Sequence, residues 1–136
     1  MATYLKFNSF VEAVAEKVHN LGSDSLMVAL TNTVPVAGNT VLANITQIAY
    51  TNLSSRVLTT SSSAQTAGTY KLVIADLTLT STGGTTGPFR YVVIYNDTAT
   101  NDELIAYFDY GSALTLSDSD NVILDFDVSN GLLQIV

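Results

Sequence analysis

Two apolar runs separated by a short polar gap constrain the fold of this chain more than any other feature. The runs cover residues 88–97 and 104–111, and both are rich in aromatic and β-branched residues. Apolar residues occupy both alternating sets of positions, which is the pattern of a strand covered on both faces. The residues between them, 96–102, favour a reversal of the chain. The sequence therefore predicts a central β-hairpin around which the other segments pack.

Further short strands are predicted on both sides of this hairpin. The candidate segments are residues 25–31, 70–80 as one long strand, 113–116, 121–128 and 132–136. Asn130-Gly131 lies between the last two segments and predicts a type I′ hairpin turn that joins them. The serine- and threonine-rich residues 59–68 fit an edge strand or a disordered tract, and both alternatives stay open. Residues 36–55 predict a surface excursion with at most one helical turn near 41–45.

One helix is predicted, over residues 9–21. Ser9 and Glu12 have the spacing of a capping box, and Gly22 stands where helices often end. The apolar positions of this helix are Phe10, Val14, Val18 and Leu21, which recur at helical spacing. Lys17 and His19 fall near its C-terminal end, where the helix dipole favours cations.

These elements predict one mainly β domain over residues 1–136, with the strands in about 25–136. Seven or eight short strands with one N-terminal α-helix are typical of an antiparallel β-sandwich or a jelly-roll-like barrel. A chain of 136 residues buries enough surface to fold without disulfide bonds or a structural metal, and this one has no cysteine.

The composition predicts that a partner covers part of the surface. Charged residues make up 12% of the chain, hydrophobic residues make up 47%, and the mean hydropathy is +0.31. Such an apolar chain favours self-association or docking. With a net charge of -7 and five basic residues, no nucleic-acid partner is expected. No apolar run is long enough to span a membrane and no signal pattern is present, so a soluble protein made in the cytoplasm is expected.

Candidate catalytic groups are few. The only histidine, His19, is expected to be a solvated residue at the helix end rather than a catalytic base. Asp125 and Asp127 would share one strand face at a separation that some glycosidases use. Two solvated acids on an alternating strand are the simpler interpretation, because the chain has no tryptophan to bind a sugar.

One segment resembles the opening of a calcium-binding loop. Asp118 and Asp120 match its first and third positions, but Ile123 occupies the sixth position, where glycine is needed. Ser129 stands at the twelfth, where a bidentate glutamate belongs. The sequence therefore predicts no metal site, no cofactor and no enzymatic activity.

Six residues are candidates for structural or interface roles. They are Arg90, Tyr91, Tyr95, Asp97, Asp109 and Tyr110. Arg90 lies inside an apolar strand and must find a carboxylate, for which Asp76, Asp97 and Asp109 are available, so a buried ion pair is expected. The tyrosines, with Tyr107, are expected to pack in the core with their hydroxyls at the rim, and an interface stripe is the alternative.

Three segments together resemble a known family. They are residues 28–35, 89–97 and 104–111, which carry Val-Ala-Leu-Thr-Asn-Thr-x-Pro, Phe-Arg-Tyr…Tyr-Asn-Asp and Asp-Tyr-Gly in this order and spacing. The chain resembles small virion structural proteins of tailed bacteriophages, described as head decoration or minor structural proteins. The resemblance extends over nearly the whole chain from Phe7. Where members often carry tryptophan, this chain has Leu79 and Tyr107-Phe108.

The resemblance implies a non-enzymatic part of the virion. The expected function is a capsid decoration, or cement, protein that binds the major capsid protein and stabilises the head shell. Its expected state is a homo-oligomer, a dimer or trimer, on the capsid surface after synthesis in the host cytoplasm. The alternative is a tail fibre or baseplate module that binds a host-surface glycan.

Overall fold

The computed structural model describes residues 2–136, and their fold is mainly β. The elements are β1 (Thr3–Lys6), α1 (Ser9–Ala15), β2 (Leu26–Thr31), a 3-10 turn (Leu42–Asn44), β3 (Thr60–Thr66), β4 (Thr69–Ile74), β5 (Leu77–Thr80), β6 (Thr86–Asn96), β7 (Leu104–Leu116), β8 (Asn121–Leu124) and β9 (Leu133–Ile135). All of the pairings between these strands are antiparallel. The predicted fold class is therefore confirmed, with nine strands rather than seven or eight.

The central hairpin is confirmed by the pairing of β6 with β7. Val93 lies opposite Tyr107, and Ile94 lies opposite Ala106. These strands are the inner pair of a four-stranded sheet in the order β1-β7-β6-β2. Residues 91–96 are all buried, as expected for a strand covered on both faces.

Each face of the central sheet lies against its own apolar cluster. One face contributes Val28, Leu30, Val92 and Ile94, and the other contributes Ala29, Tyr91, Val93 and Tyr95. The alternation follows from the strand period of two residues. The smaller sheets β3-β4-β9 and β5-β8 pack on the first face through residues such as Leu72, Leu79 and Leu133. Phe7 and Ile45 belong to the cluster on the second face.

This arrangement is sandwich-like. The strands are divided among three separate sheets, so the jelly-roll-like alternative does not form as a closed barrel within residues 2–136. The outer edge of β2 is covered by residues 56–58, because the Val28 amide donates to the Arg56 carbonyl over 3.0 Å and the Leu58 amide donates to Leu26 over 2.9 Å.

The helix prediction is correct in place and wrong in length. α1 ends at Ala15 rather than at residue 21, and Lys17 has a left-handed φ of +67° that prevents the helix from continuing. Asn8 precedes the helix and no side-chain capping bond forms, so the predicted capping box is absent. Because the helix stops early, His19 and Leu21 turn inward and become buried. The unpredicted strand β1 comes before the helix.

Two predicted strands divide or end differently. Residues 70–80 form β4 and β5, which belong to different sheets, and between them the Asp76 Oδ1 atom accepts the Phe126 amide over 2.9 Å. The predicted strand 121–128 stops at Leu124. Asp125 and Asp127 therefore share no strand face, which corrects the prediction about this pair. The open question about residues 59–68 is settled, since β3 forms an edge strand beside β4.

The Asn130-Gly131 turn does not join two paired strands. β9 pairs with β4, whereas β8 pairs with β5, so the predicted type I′ hairpin is wrong. Of these two turn residues, Gly131 alone has a positive φ, of +76°. A Cβ at Gly131 would lie 2.5 Å from the Leu72 carbonyl oxygen. The Asp127 carboxylate shapes the turn, because its Oδ1 atom accepts the amides of Ser129 and Asn130. The last segment thus crosses to another sheet.

Candidate functional site

A large irregularity in the central hairpin is the most distinctive surface feature. Tyr91 pairs with Asp109 and Phe89 pairs with Leu114, so the single residue Arg90 stands opposite residues 110–113. We name Tyr110–Ala113 the β7 bulge. All of its residues are exposed, and the Tyr110 side chain is 56% exposed. Bulges bend a strand away from its ladder and redirect side chains, and here the result is a protruding segment.

An ion pair holds the start of the bulge. The Arg90 Nε atom donates to Asp109 Oδ1 over 2.8 Å, and Nη2 donates to Oδ2 over 3.1 Å, which is a bidentate geometry. Asp109 Oδ1 also accepts the Gly111 amide over 2.8 Å. Gly111 has a φ of +98°, a value that glycine adopts without steric cost. One carboxylate therefore fixes both the arginine and the backbone of the bulge.

The pair is charged and partly open to solvent. The hydrogen bond between the two side chains raises the pKa of Arg90 and lowers the pKa of Asp109. The two side chains are 39% and 27% exposed. Of the three carboxylates considered for Arg90, Asp109 is the partner. The expectation of a buried pair is wrong, because the bulge opens this part of the strand to water.

Aromatic rings pack in the strands that flank the bulge. The Tyr91 and Tyr107 rings meet edge to face with centroids 6.4 Å apart, and Tyr107 lies 5.1 Å from Phe7. The carbon at the centre of the Arg90 guanidinium lies 5.3 Å from the centre of the Tyr91 ring. Tyr91 and Tyr107 are buried, as predicted, whereas Tyr110 points outward. The strands that lead into the bulge are thus packed, whereas the bulge itself is exposed.

Four of the six candidate residues come together here, namely Arg90, Tyr91, Asp109 and Tyr110. The other two lie at the opposite end of the hairpin. Tyr95 is buried and its hydroxyl contacts the Met27 sulfur at 3.6 Å. Asp97 begins the turn after β6, where its amide donates to the Ser25 carbonyl over 2.9 Å.

The chain matches no protein-family model, no curated protein and no solved structure. Within residues 2–136, no helix is long and apolar enough to cross a membrane.

The sequence interpretation missed a buried polar cluster at the turn end of the hairpin. His19 is 6% exposed rather than solvated, and Asn96 is fully buried. The Asn96 Nδ2 atom lies 3.0 Å from His19 Nδ1 and 2.6 Å from Asp24 Oδ2. The signal that could have revealed this cluster is Asn96 itself, a polar residue at the end of a run buried on both faces. We name His19, Asp24 and Asn96 the His19 cluster.

The other acidic residues considered have roles in turns. Asp118 Oδ1 accepts the Gly83 amide over 2.9 Å, and Asp120 Oδ2 accepts the Ser117 amide over 2.9 Å. In the described part of the chain, no group of three or more metal-ligating side chains is close enough to hold an ion. A shallow depression beside the hairpin turn is lined by Val41, Leu42, Ala43, Gln47, Asn101 and Asp102.

Proposed function

We propose that this protein is a non-enzymatic structural subunit of a bacteriophage virion, which decorates the capsid and stabilises the head shell. The observation that carries the proposal is the β7 bulge, an uncharged segment that presents Tyr110 to solvent on a fixed base. The resemblance of residues 28–35, 89–97 and 104–111 to virion proteins points to the same class of function.

The bulge has the properties of a protein-binding element. A tyrosine supplies a large contact area with few rotatable bonds, and tyrosines are common among the residues that dominate binding energy. Residues 110–113 carry no charge, so their burial leaves no ion without solvent. The Asp109 bond to the Gly111 amide orders the segment before binding, which reduces the entropy lost on association.

The charge balance favours a protein partner over nucleic acid. Twelve acidic side chains face only five basic ones, and Arg90 is already paired with Asp109. Too few cations are available to displace counterions from phosphates. The coat shell is accordingly the proposed partner.

Binding to expanded, empty heads of the phage that encodes the protein tests this function. We expect saturable binding and a higher temperature of head rupture. Tyr110→Ala should weaken binding by about 30-fold or more, the effect of losing roughly 2 kcal/mol at a dominant contact. Val128→Ala is the matched control, because Val128 is 68% exposed but lies in the turn that precedes β9. Both variants should melt like wild type.

Two outcomes would contradict parts of the proposal. If the protein ignores heads and instead co-purifies with tails or is retained on host-surface polysaccharide, it is a tail fibre or baseplate module. If it binds heads and Tyr110→Ala binds equally well, the decoration function stands and the bulge is not the contact.

A further inference from the structure

The His19 cluster joins two segments that are distant in sequence. His19 and Asp24 belong to the connection between α1 and β2, while Asn96 is the last residue of β6. Two bonds next to the cluster join the same segments: the Ser25 amide donates to Thr98 Oγ1 over 2.8 Å, and the Asp97 amide donates to Ser25 over 2.9 Å. The turn between β6 and β7 is thereby docked on residues 19–25.

The orientation of the Asn96 amide is fixed by its own hydrogen bonds. Its Oδ1 atom accepts the backbone amides of Thr98 and Ala99 over 3.0 and 3.1 Å. Nδ2 must therefore face Asp24 Oδ2 and His19 Nδ1, and it has one hydrogen for each. The flipped amide would set its oxygen against the Asp24 carboxylate and its donors against two N–H groups.

This orientation determines the protonation of His19. Because Asn96 donates to Nδ1, that nitrogen must be an acceptor, and the neutral ring carries its proton on Nε2. Within residues 2–136, the buried Nε2 atom has no hydrogen-bond partner. Burial lowers the pKa of His19, while the negative charges of Glu103 and Asp24 oppose this effect. On another side, the Phe10 ring centre lies 5.5 Å from the imidazole.

We propose that His19 is an acid-sensitive latch, which docks the β6–β7 turn on residues 19–25 while it is neutral and releases that turn when Nδ1 is protonated. A proton taken from solvent at Nδ1 points at the Asn96 amino group, so two donors face each other and the bond is lost. The negative charges of Glu103 and Asp24 favour the imidazolium that forms. Asn96 must therefore move, and its side-chain oxygen then releases the backbone amides of Thr98 and Ala99.

The direction of the pH effect follows from linkage. The docked state holds His19 with a lowered pKa, and the released state returns it to about 6.5. The released state therefore binds more protons below that pH, and acid favours release. The ratio of released to docked molecules rises by up to about tenfold for each pH unit between 6.5 and the lowered pKa of the docked state, and it levels off below that pKa. This latch does not depend on the proposed function in the virion.

Two measurements on the wild-type protein test the latch. Long-range ¹H–¹⁵N NMR of His19 should show the Nε2–H tautomer and a pKa below 6.5. Protection factors for the Thr98 and Ala99 amides should fall by up to about tenfold per pH unit as the pH drops from 6.5 toward the measured pKa of His19. Amides of central residues such as Val93 should keep their protection over the same range.

His19→Gln is the matched variant, because its side-chain oxygen can accept from Asn96 and does not titrate. Its protection at Thr98 and Ala99 should not depend on pH in this range. An Nδ1–H tautomer, a pKa of 6.5 or more, or constant protection in wild type would overturn the latch. An unchanged pH dependence in His19→Gln would overturn it as well, and if that variant does not fold, the wild-type measurements decide.

Discussion

At the scale of single residues, the sequence could indicate that Arg90 pairs with a carboxylate, but it could not indicate how exposed that ion pair is. An arginine in an apolar strand needs an acceptor, so pairing with a carboxylate was predictable, although Asp76, Asp97 and Asp109 all remained candidates. The exposure of the pair was not, because it depends on a bulge that forms only when β6 and β7 pair. A bulge is a property of two strands rather than of one residue pattern.

Replacing Arg90 by alanine should lower the melting temperature by only a few degrees, since exposed ion pairs contribute little to stability. Arg90 lowers the pKa of Asp109, so the pair stabilises the fold above the unfolded pKa of Asp109. That stabilisation is lost as the pH falls through the lowered folded value. In Arg90→Ala the pKa of Asp109 should rise, which carboxyl ¹³C NMR can measure. A large loss of stability would mean that the pair is buried in solution.

The misplacement of His19 has a physical cause. Helical periodicity continues to Leu21 in the sequence, but the chain leaves the helix after Ala15, and the apolar residues that follow pack as a separate loop. Periodicity describes which face a helix would bury, and it does not specify where tertiary contacts replace helical hydrogen bonds. The bond between His19 and Asn96 spans 77 residues, beyond any local pattern.

At the scale of elements, local signals identified most of the strands but did not identify the partners of all of them. β6 and β7 are joined by a short turn, so their pairing is local. β9 follows a favourable turn sequence, yet it pairs with β4, and Leu132 and Leu133 are buried there in the cluster that contains Leu72. Burial of two leucines outweighs the preference of one turn.

Removing the last segment should therefore unfold the protein. Burial of Leu132 and Leu133 contributes roughly 1.5–3 kcal/mol each, a large part of the typical stability of about 5–15 kcal/mol. The deletion of residues 130–136 also removes the ladder between β4 and β9. Loss of the cooperative melt in circular dichroism is expected, and a truncated chain that still melts cooperatively would contradict this.

Two substitutions in β9 distinguish the effect of losing a buried side chain from the effect of shortening the chain. Leu133→Ala should cost about 2–5 kcal/mol, because Leu133 is buried in the core. Ile135→Ala should cost much less, since Ile135 is 42% exposed on the same strand. Urea unfolding of the two variants measures the difference. Equal losses would show that β9 does not pack as described.

At the scale of the whole molecule, the fold class could be predicted although the sheet order could not. Most of the strands have a recognisable composition, and many such signals together identify a mainly β fold even where individual boundaries are wrong. The order β1-β7-β6-β2 includes a first strand whose residues are all exposed and give no alternating pattern. Its place is set by contacts such as Tyr4 against Phe108, whose ring centres are 5.4 Å apart.

The free edge of β1 supports the expectation of a homo-oligomer. Within residues 2–136, β1 pairs only with β7, and its other edge has no strand beside it. Tyr4 and Leu5 are exposed there, and Lys6 is the only charge on the strand. Such an edge is a template for another strand, and two copies of one strand paired antiparallel satisfy two-fold symmetry.

We therefore expect sedimentation velocity to find a dimer or larger closed oligomer at micromolar concentration, before any capsid is present. Leu5→Lys should shift this equilibrium toward monomer, because a lysine on an edge strand opposes pairing. Val128→Lys adds the same charge in the turn before β9 and should leave the oligomer intact. An oligomer also makes weak contacts effective, since linked sites raise avidity by factors of about 10² to 10⁴. A wild-type protein that stays monomeric at tens of micromolar would exclude this mechanism, and the proposed binding to heads would then rest on single copies.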